Sequence, residues 1–239
     1  MAQASAQTPT ITIGVSEGDT FKYTATYFWN STNPNDTVPK YLLEQNTTEY
    51  LRATIKTVTG NTVTISEVQH FLNGTDVPRE ELTSVGTSNQ FSVLLYAANL
   101  NAGDYLLPMS QLLYTIDATV SREYAGGARQ TNYIEVNMTD LEEYVYRYTS
   151  LYFDRSTGIL VDAYFADVMV DSPSQTFSYT YLLTETNRWN VAGSQPPGDG
   201  DGDNQIGGLP MELIIGIVVA AVVVAVVAVV LFLRKKGKN

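Results

Sequence analysis

Thr20–Trp29 reads TFKYTATYFW, and its alternation decides the fold. Phe21, Tyr23, Ala25, Tyr27 and Trp29 fall on one side of an extended chain, with Lys22, Thr24 and Thr26 on the other. That is the two-residue period of a half-buried strand, not the 3.6-residue period of a helix.

The same pattern extends along the chain. Tyr50–Phe71, YLRATIKTVTGNTVTISEVQHF, reads as a hairpin turning at Gly60-Asn61. Leu112–Met138, LLYTIDATVSREYAGGARQTNYIEVNM, reads as another, turning at Gly126-Gly127. Tyr144–Val170, YVYRYTSLYFDRSTGILVDAYFADVMV, turns through Asp154 to Gly158, where glycine supplies a positive φ. Thr176–Thr186, TFSYTYLLTET, closes the series with Phe177, Tyr179, Tyr181 and Leu183 in alternation. Helical signal is scant: PREELTSV (Pro78–Val85) has the composition for a turn or two of helix, and FSVLLYAANL (Phe91–Leu100) is too short an apolar run to assign. The expected fold is mainly β: a curved antiparallel meander, an open or partly closed barrel-like sheet, with most aromatic residues lining its concave side.

The strongest single signal is apolar. Leu213–Leu233, LIIGIVVAAVVVAVVAVVLFL, contains no charge, Pro, Asn or Gln, and as a helix it spans about 31 Å, the thickness of a bilayer core. It is expected to be a transmembrane helix that contacts membrane lipid. Arg234, Lys235, Lys236 and Lys238 follow at once and are expected to stay in the cytoplasm. The organisation expected is therefore an N-terminal remnant over 1–8, a β-rich extracellular domain over 9–190, a linker over 191–212, the span over 213–233 and a basic tail over 234–239. Small residues at Ala2, Ala4 and Ala6 have the spacing found near signal-peptide cleavage sites, so the natural precursor is expected to be longer. Within the span Gly216 and Ala220 form a small-xxx-small pair, compatible with a weak helix-mediated dimer.

Charge separates the two ends. All 25 acidic residues precede the span with only 10 of the 14 basic ones, so the body carries -15 and the tail +4. A body of that charge repels nucleic acid and anionic lipid. Five N-x-[ST] sequons, at Asn30, Asn35, Asn46, Asn73 and Asn137, exceed the roughly three that chance gives, and are glycosylation candidates in an exported domain. The first four sit in loop-like stretches.

Catalytic patterns fail on context. Gly14–Gly18, GVSEG, matches a serine nucleophile elbow, but a strand follows Ser16 where that chemistry requires a helix. His70 is the only histidine and the chain has no cysteine, so no His- or Cys-rich metal site is available. Glu80-Glu81 and Glu142-Glu143 are sequence neighbours, which on a strand point to opposite faces. No phosphate loop or dinucleotide fingerprint occurs, and no cofactor is expected. Asp199, Asp201 and Asp203 alternate with glycine like ligands of a calcium loop, yet the positions for the obligatory glycine and glutamate hold Asn204 and Pro210. Gly193–Pro210 reads instead as a solvated tether, with the three aspartates as weak metal candidates only.

Two turns share a form, SEGDTFKY (Ser16–Tyr23) and NAGDYLLP (Asn101–Pro108). Together with VSEGDTFKYTATY, ANLNAGDYLLP, LYFDRSTGILVDAYF and LTETNRW, they give nearly the whole chain a pattern that resembles uncharacterised archaeal cell-surface proteins with a C-terminal transmembrane anchor. The resemblance implies an envelope-anchored, strand-rich ectodomain and brings no catalytic residues. A meander of this kind is also similar, by architecture alone, to half-barrel lipoprotein carriers. The expected function is a non-enzymatic binding or envelope module on the cell surface, single-pass with its N-terminal domain outside, whose partner is an envelope protein or glycan. The alternative is a carrier holding an apolar, lipid-like ligand in the concave face of the sheet. An open cavity there, as opposed to a face filled by a segment such as Phe91–Leu100, separates the two.

Overall fold

The computed structural model describes residues 11–88, 90, 92–110, 114–139 and 144–191, together with the backbone of 205–206 and 209–210. Met1–Thr10, Glu142-Glu143, the aspartates Asp199, Asp201 and Asp203, the span Leu213–Leu233 with Gly216 and Ala220, and the tail residues Arg234, Lys235, Lys236 and Lys238 lie outside the described residues. The chain divides into two compact units, Met1–Ser194 and Gln195–Asn239. In the second, Gln205–Ile206 pairs antiparallel with Leu209–Pro210.

The first unit is one open sheet of nine antiparallel strands: β1 (Thr20–Ser31), β2 (Thr48–Thr59), β3 (Thr62–Phe71), β4 (Asp76–Ser84), β5 (Ala118–Arg122), β6 (Arg129–Thr139), β7 (Tyr144–Asp154), β8 (Leu160–Met169) and β9 (Gln175–Thr186). The five strand and hairpin readings from the alternation fall on these elements, except that the Leu112–Met138 hairpin begins only at Ala118, with turns at Gly60-Asn61, at Gly126-Gly127 and through Asp154–Gly158. Pro78–Val85 is a correction: most of it belongs to β4, paired along its length with β3. Its local composition favours a helix, but the unpaired edge of β3 offers a full ladder of backbone partners, and tertiary context wins. Six residues whose helicity the alternation does not show, Lys40–Gln45, form α1, entered from an extended Pro39 and closed by Asn46.

The strand order corrects the expectation of a single meander. The sheet runs β4-β3-β2-β1-β9-β8-β7-β6-β5, so β1 and β9, first and last in sequence, are central neighbours. Two meanders are thus joined through β1 and β9, and the sheet does not close. The chain must therefore pass from the β4 edge to the β5 edge, and the connection over 85–117 makes that crossing over one sheet face. It buries Val85, Leu94, Leu95, Tyr96, Leu106 and Ile116 against Phe21, Tyr23, Ile55, Ile65, Ile134 and Phe153. Fully burying a side chain of this size contributes about 1.5–3 kcal/mol. Phe91–Leu100, left unassigned by periodicity, is mostly the middle of this strap.

Backbone contacts lock the strap to the β7–β8 turn. Tyr96 N–H donates to Gly158 O at 2.8 Å and Leu160 N–H to Leu94 O at 3.0 Å, with Leu95 bridging Ile159. Gly158 has φ +75°, and a Cβ there would run into the Tyr96 carbonyl. Glycine is required twice over at this point. The paired Gly-Asp turns are also alike in three dimensions. Asp19 Oδ2 accepts from Ser16 N at 2.7 Å and Asp104 Oδ2 from Asn101 N at 2.8 Å, each following a glycine of positive φ.

Candidate functional site

The site arises where the two halves of the sheet separate. β1 pairs with β9 along Phe21–Ser31 but with β2 only over Thr20–Tyr23. Beyond Tyr23 the two strands part, and α1 stands beside the gap with Leu42 buried. Asn46 takes the place of a missing strand partner: its carboxamide accepts from Tyr27 N at 3.0 Å and donates to Tyr27 O at 2.9 Å. The strap covers the other end of this face, so an open basin of about 410 Å3 remains between β1, β9, α1 and β2.

Alternation places the basin floor. Ala25, Tyr27 and Trp29 lie on the core-covered face of β1, directly opposite Tyr181, Tyr179 and Phe177 of β9. Tyr27, Phe177, Tyr179 and Tyr181 line the basin, with Tyr41 and Gln45 from α1 above them and Tyr144 at the far wall. Rings pair across it: Tyr27 stacks with Tyr179 at 6.1 Å, Tyr41 with Phe177 at 6.3 Å, and Phe165 backs Tyr179 at 4.6 Å. Burial first, then the charge of Asp167, pushes the Tyr179 hydroxyl up to about 12. Burial, then Tyr27, raises Tyr181 as well. Both rings are neutral at physiological pH.

Register also builds the basin's charge. Arg147 and Asp167 are direct cross-strand partners, and the guanidinium donates twice to the carboxylate, at 2.8 and 3.0 Å. These hydrogen bonds hold Arg147 above its ordinary value, outweighing burial, and its guanidinium lies 3.8 Å from the centre of the Tyr144 ring. On the opposite wall Arg79 faces Glu67, which is 1% exposed, and its Nε donates to Glu67 Oε2 at 2.5 Å. Burial, then the charge of Glu67, raises the carboxyl of Glu81. A carboxylate pair has therefore been assembled by strand register, which adjacency in sequence could not reveal. Arg79 lines the basin while Glu67 and Glu81 stand behind it. Gln69 Nε2 donates to Gln45 Oε1 at 3.0 Å and to Thr48 Oγ1 at 2.7 Å, which orients both amides on the wall.

The outer face carries more aromatic side chains than expected. Tyr133, Tyr148, Tyr152 and Tyr164 are half-buried there, with Tyr133 and Tyr152 rings 4.6 Å apart and Arg122 4.0 Å above Tyr152. The expectation that most aromatics line the core side thus fails on β6, β7 and β8. A tyrosine ring with its hydroxyl at the edge suits a half-exposed face as well as a buried one. His70 is also on this face, stacked on Tyr50 at 4.6 Å with Nδ1 2.6 Å from Asp76 Oδ1. Among the described residues no group of three or more His, Asp or Glu could hold a metal.

Beside the β7–β8 turn the pattern is one of unmet hydrogen bonds. Arg122 Nε, Tyr124 Oη, Thr131 Oγ1 and Trp189 Nε1 are buried there without a hydrogen bond of ordinary geometry, the Tyr124 hydroxyl lying near both Arg122 and Thr131. Asp154, by contrast, is saturated. It accepts from Arg129 Nε and Nη2 at 2.7 and 3.0 Å, from Ser156 Oγ at 2.8 Å, and from Thr157 N and Oγ1 at 2.9 and 2.7 Å.

Of the sequons, Asn35 lies in the loop after β1, and Asn73 in the β3–β4 turn, where its Oδ1 accepts from Thr75 N at 2.9 Å. Asn30 corrects the loop assignment: it is an exposed residue of β1 paired with Thr176. Asn137 is exposed on β6 opposite Tyr148. Asn46 is engaged by the backbone of β1 as described. Ser16 sits in the turn before β1, where its backbone N–H binds Asp19. Among the described residues no helix is long and apolar enough to cross a membrane. Compared with protein-family models, curated protein sequences and solved structures, the chain matches none.

Proposed function

We propose that this chain is a membrane-anchored binding module of the cell surface, non-enzymatic, whose recognition site is the basin between the two halves of the sheet. The observation that carries the reading is the basin itself. It is open, aromatic on its floor, and bordered by cross-strand ion pairs already made before any ligand arrives. Such preorganisation lowers the ordering cost of binding. A pocket of several hundred Å3 with a few oriented polar groups is the usual form of a ligand site. Anchorage follows from Leu213–Leu233 and the basic residues after it, which orient the acidic body outward.

The carrier alternative meets an obstacle in the strap, which occupies the part of the core face that a long apolar cargo would need. Only the basin is left to such a ligand, and five tyrosines, two glutamines and an arginine share its lining.

Protease treatment of intact cells tests the topology: the body is expected to be cleaved from outside, and full protection of it refutes the outward orientation. Retention of solubilised envelope material on the immobilised full chain tests the site. Tyr41→Ala, on the rim, is expected to reduce retention, while Tyr164→Ala on the outer face leaves it unchanged. The reverse pattern would move the site to the outer face.

A further inference from the structure

The charge state of the basin narrows what it can hold. Among the described residues its charged lining residues are Arg79 and Asp167, and each already faces an opposite charge, Glu67 and Arg147 respectively. Each basin guanidinium, Arg79 and Arg147, already serves a carboxylate, which weakens its pull on an anionic headgroup, and a body of charge -15 disfavours an acidic ligand further.

An apolar chain fits poorly for a different reason. Tyr27, Tyr41, Tyr144, Tyr179 and Tyr181 bring hydroxyls to the lining, and Gln45 and Gln69 bring amides. Covering these with hydrocarbon strips them of water without replacing its hydrogen bonds, at about 1–3 kcal/mol for each group left unpaired. A peptide strand is excluded at the edge where β1 lies open, because Asn46 already occupies the N–H and carbonyl of Tyr27. Strand addition needs that pair of groups free.

What remains is a neutral ligand with flat C–H faces and many hydroxyls. We infer that the basin takes a neutral oligosaccharide, a ring face laid on the exposed Tyr41 that caps the stacked floor and its hydroxyls turned to Gln45, Gln69 and Asp167. This rests on the basin's being the recognition site. The floor rings follow one another along β9 every second residue, about 6.8 Å apart. Tyr179 and Tyr181 meet edge to face, at 6.0 Å and 80°, so the floor offers both ring edges and hydroxyls to a sugar chain. Asp167 keeps acceptor capacity beyond the two hydrogen bonds from Arg147, since an ionised carboxylate has about four lone-pair sites. A site built to bond hydroxyls rejects an analogue lacking them.

Isothermal titration of the full chain in nanodiscs, which avoids sugar-headed detergents, tests this with cellotetraose, maltotetraose and chitotetraose as neutral probes. Oligogalacturonate serves as the acidic probe and decanol as the apolar one. At least one neutral tetrasaccharide is expected to bind, Tyr41→Ala to weaken it about tenfold, and oligogalacturonate and decanol to give no saturable signal. Tyr41 is 52% exposed, so its truncation leaves the fold intact, which near-ultraviolet circular dichroism checks. If decanol alone binds and Tyr41→Ala weakens it, the basin is the site and the saccharide assignment is wrong. If a tetrasaccharide binds equally to wild type, Tyr41→Ala and Asp167→Asn, the basin is not the site. If none of the tetrasaccharides binds, the inference is overturned.

Discussion

Replacing Asp154 by Asn removes one charge and almost no volume from the most heavily bonded carboxylate of the sheet. Asp154 is 2% exposed and accepts five hydrogen bonds, two of them from Arg129. Burial alone pushes its carboxyl up, but the hydrogen bonds from Arg129, Ser156 and Thr157, with the charge of Arg129, outweigh it and hold the group below the usual range. Breaking a buried pair by neutralising one partner costs about 3–5 kcal/mol. The Arg129 side chain is 26% exposed and recovers some hydration, so the lower end, about 3 kcal/mol, applies. For a domain of this size each kcal/mol shifts Tm by roughly 2–4 °C, which gives a fall of roughly 6–12 °C at pH 7. Because the native group is depressed and the unfolded one titrates near pH 3.9, the native state binds fewer protons there. Its contribution is complete above about pH 5 and disappears as the pH falls through the native value. Thermal unfolding followed by circular dichroism at pH 7 and pH 3 should therefore show a wide gap between wild type and Asp154→Asn that narrows in acid. A gap below about 1 °C at pH 7, or one that keeps its full size at pH 3, refutes the assignment.

Thr131→Val deletes a buried hydroxyl whose contact with the Tyr124 hydroxyl falls short of ordinary hydrogen-bond geometry, on a strand that favours β-branched residues, so urea unfolding should show a change within about 1 kcal/mol in either direction. A loss above that would mean that the hydroxyl is bonded, as through an internal water shared with Tyr124. Asn46→Ala removes both side-chain hydrogen bonds to Tyr27 and should cost about 1–2 kcal/mol in the same assay, with amide exchange rising at Tyr27 while β8 stays protected. Gly158→Ala forces a methyl group against the Tyr96 carbonyl at a positive φ, for about 2–4 kcal/mol, and should loosen the strap. Unchanged near-ultraviolet dichroism of Tyr96 and Phe153, whose rings lie 4.9 Å apart, would argue against that coupling.

Strand identity and the floor of the basin were legible in the chain because side-chain alternation is local. Phe21, Tyr23, Ala25, Tyr27 and Trp29 announce one face of β1 whatever β1 pairs with, and Phe177, Tyr179, Tyr181 and Leu183 do the same for β9. The turns at Gly60-Asn61 and Asp154–Gly158 were legible for the same reason, since turn chemistry involves only a few consecutive residues. Pro78–Val85 was misleading because its local preference is weak and the edge of β3 overrides it.

Partnership is where local reading ends. Nothing near Tyr27 says that its neighbour is Tyr179, and nothing near Glu67 says that Arg79 and Glu81 will stand beside it. Those contacts depend on register between strands that the chain joins in no simple order. The sequence by itself determined that the body is strand-rich, acidic and without a thiol, and that an apolar stretch long enough to span a bilayer follows it. Only the tertiary structure decided that β1 and β9 meet at the centre of an open sheet, that the strap must then cross one face to join its two edges, and that a basin is left where β1 and β2 part. The reason is physical: alternation and turn residues act over a few bonds, whereas pairing order is set by how the whole sheet buries its apolar face at once.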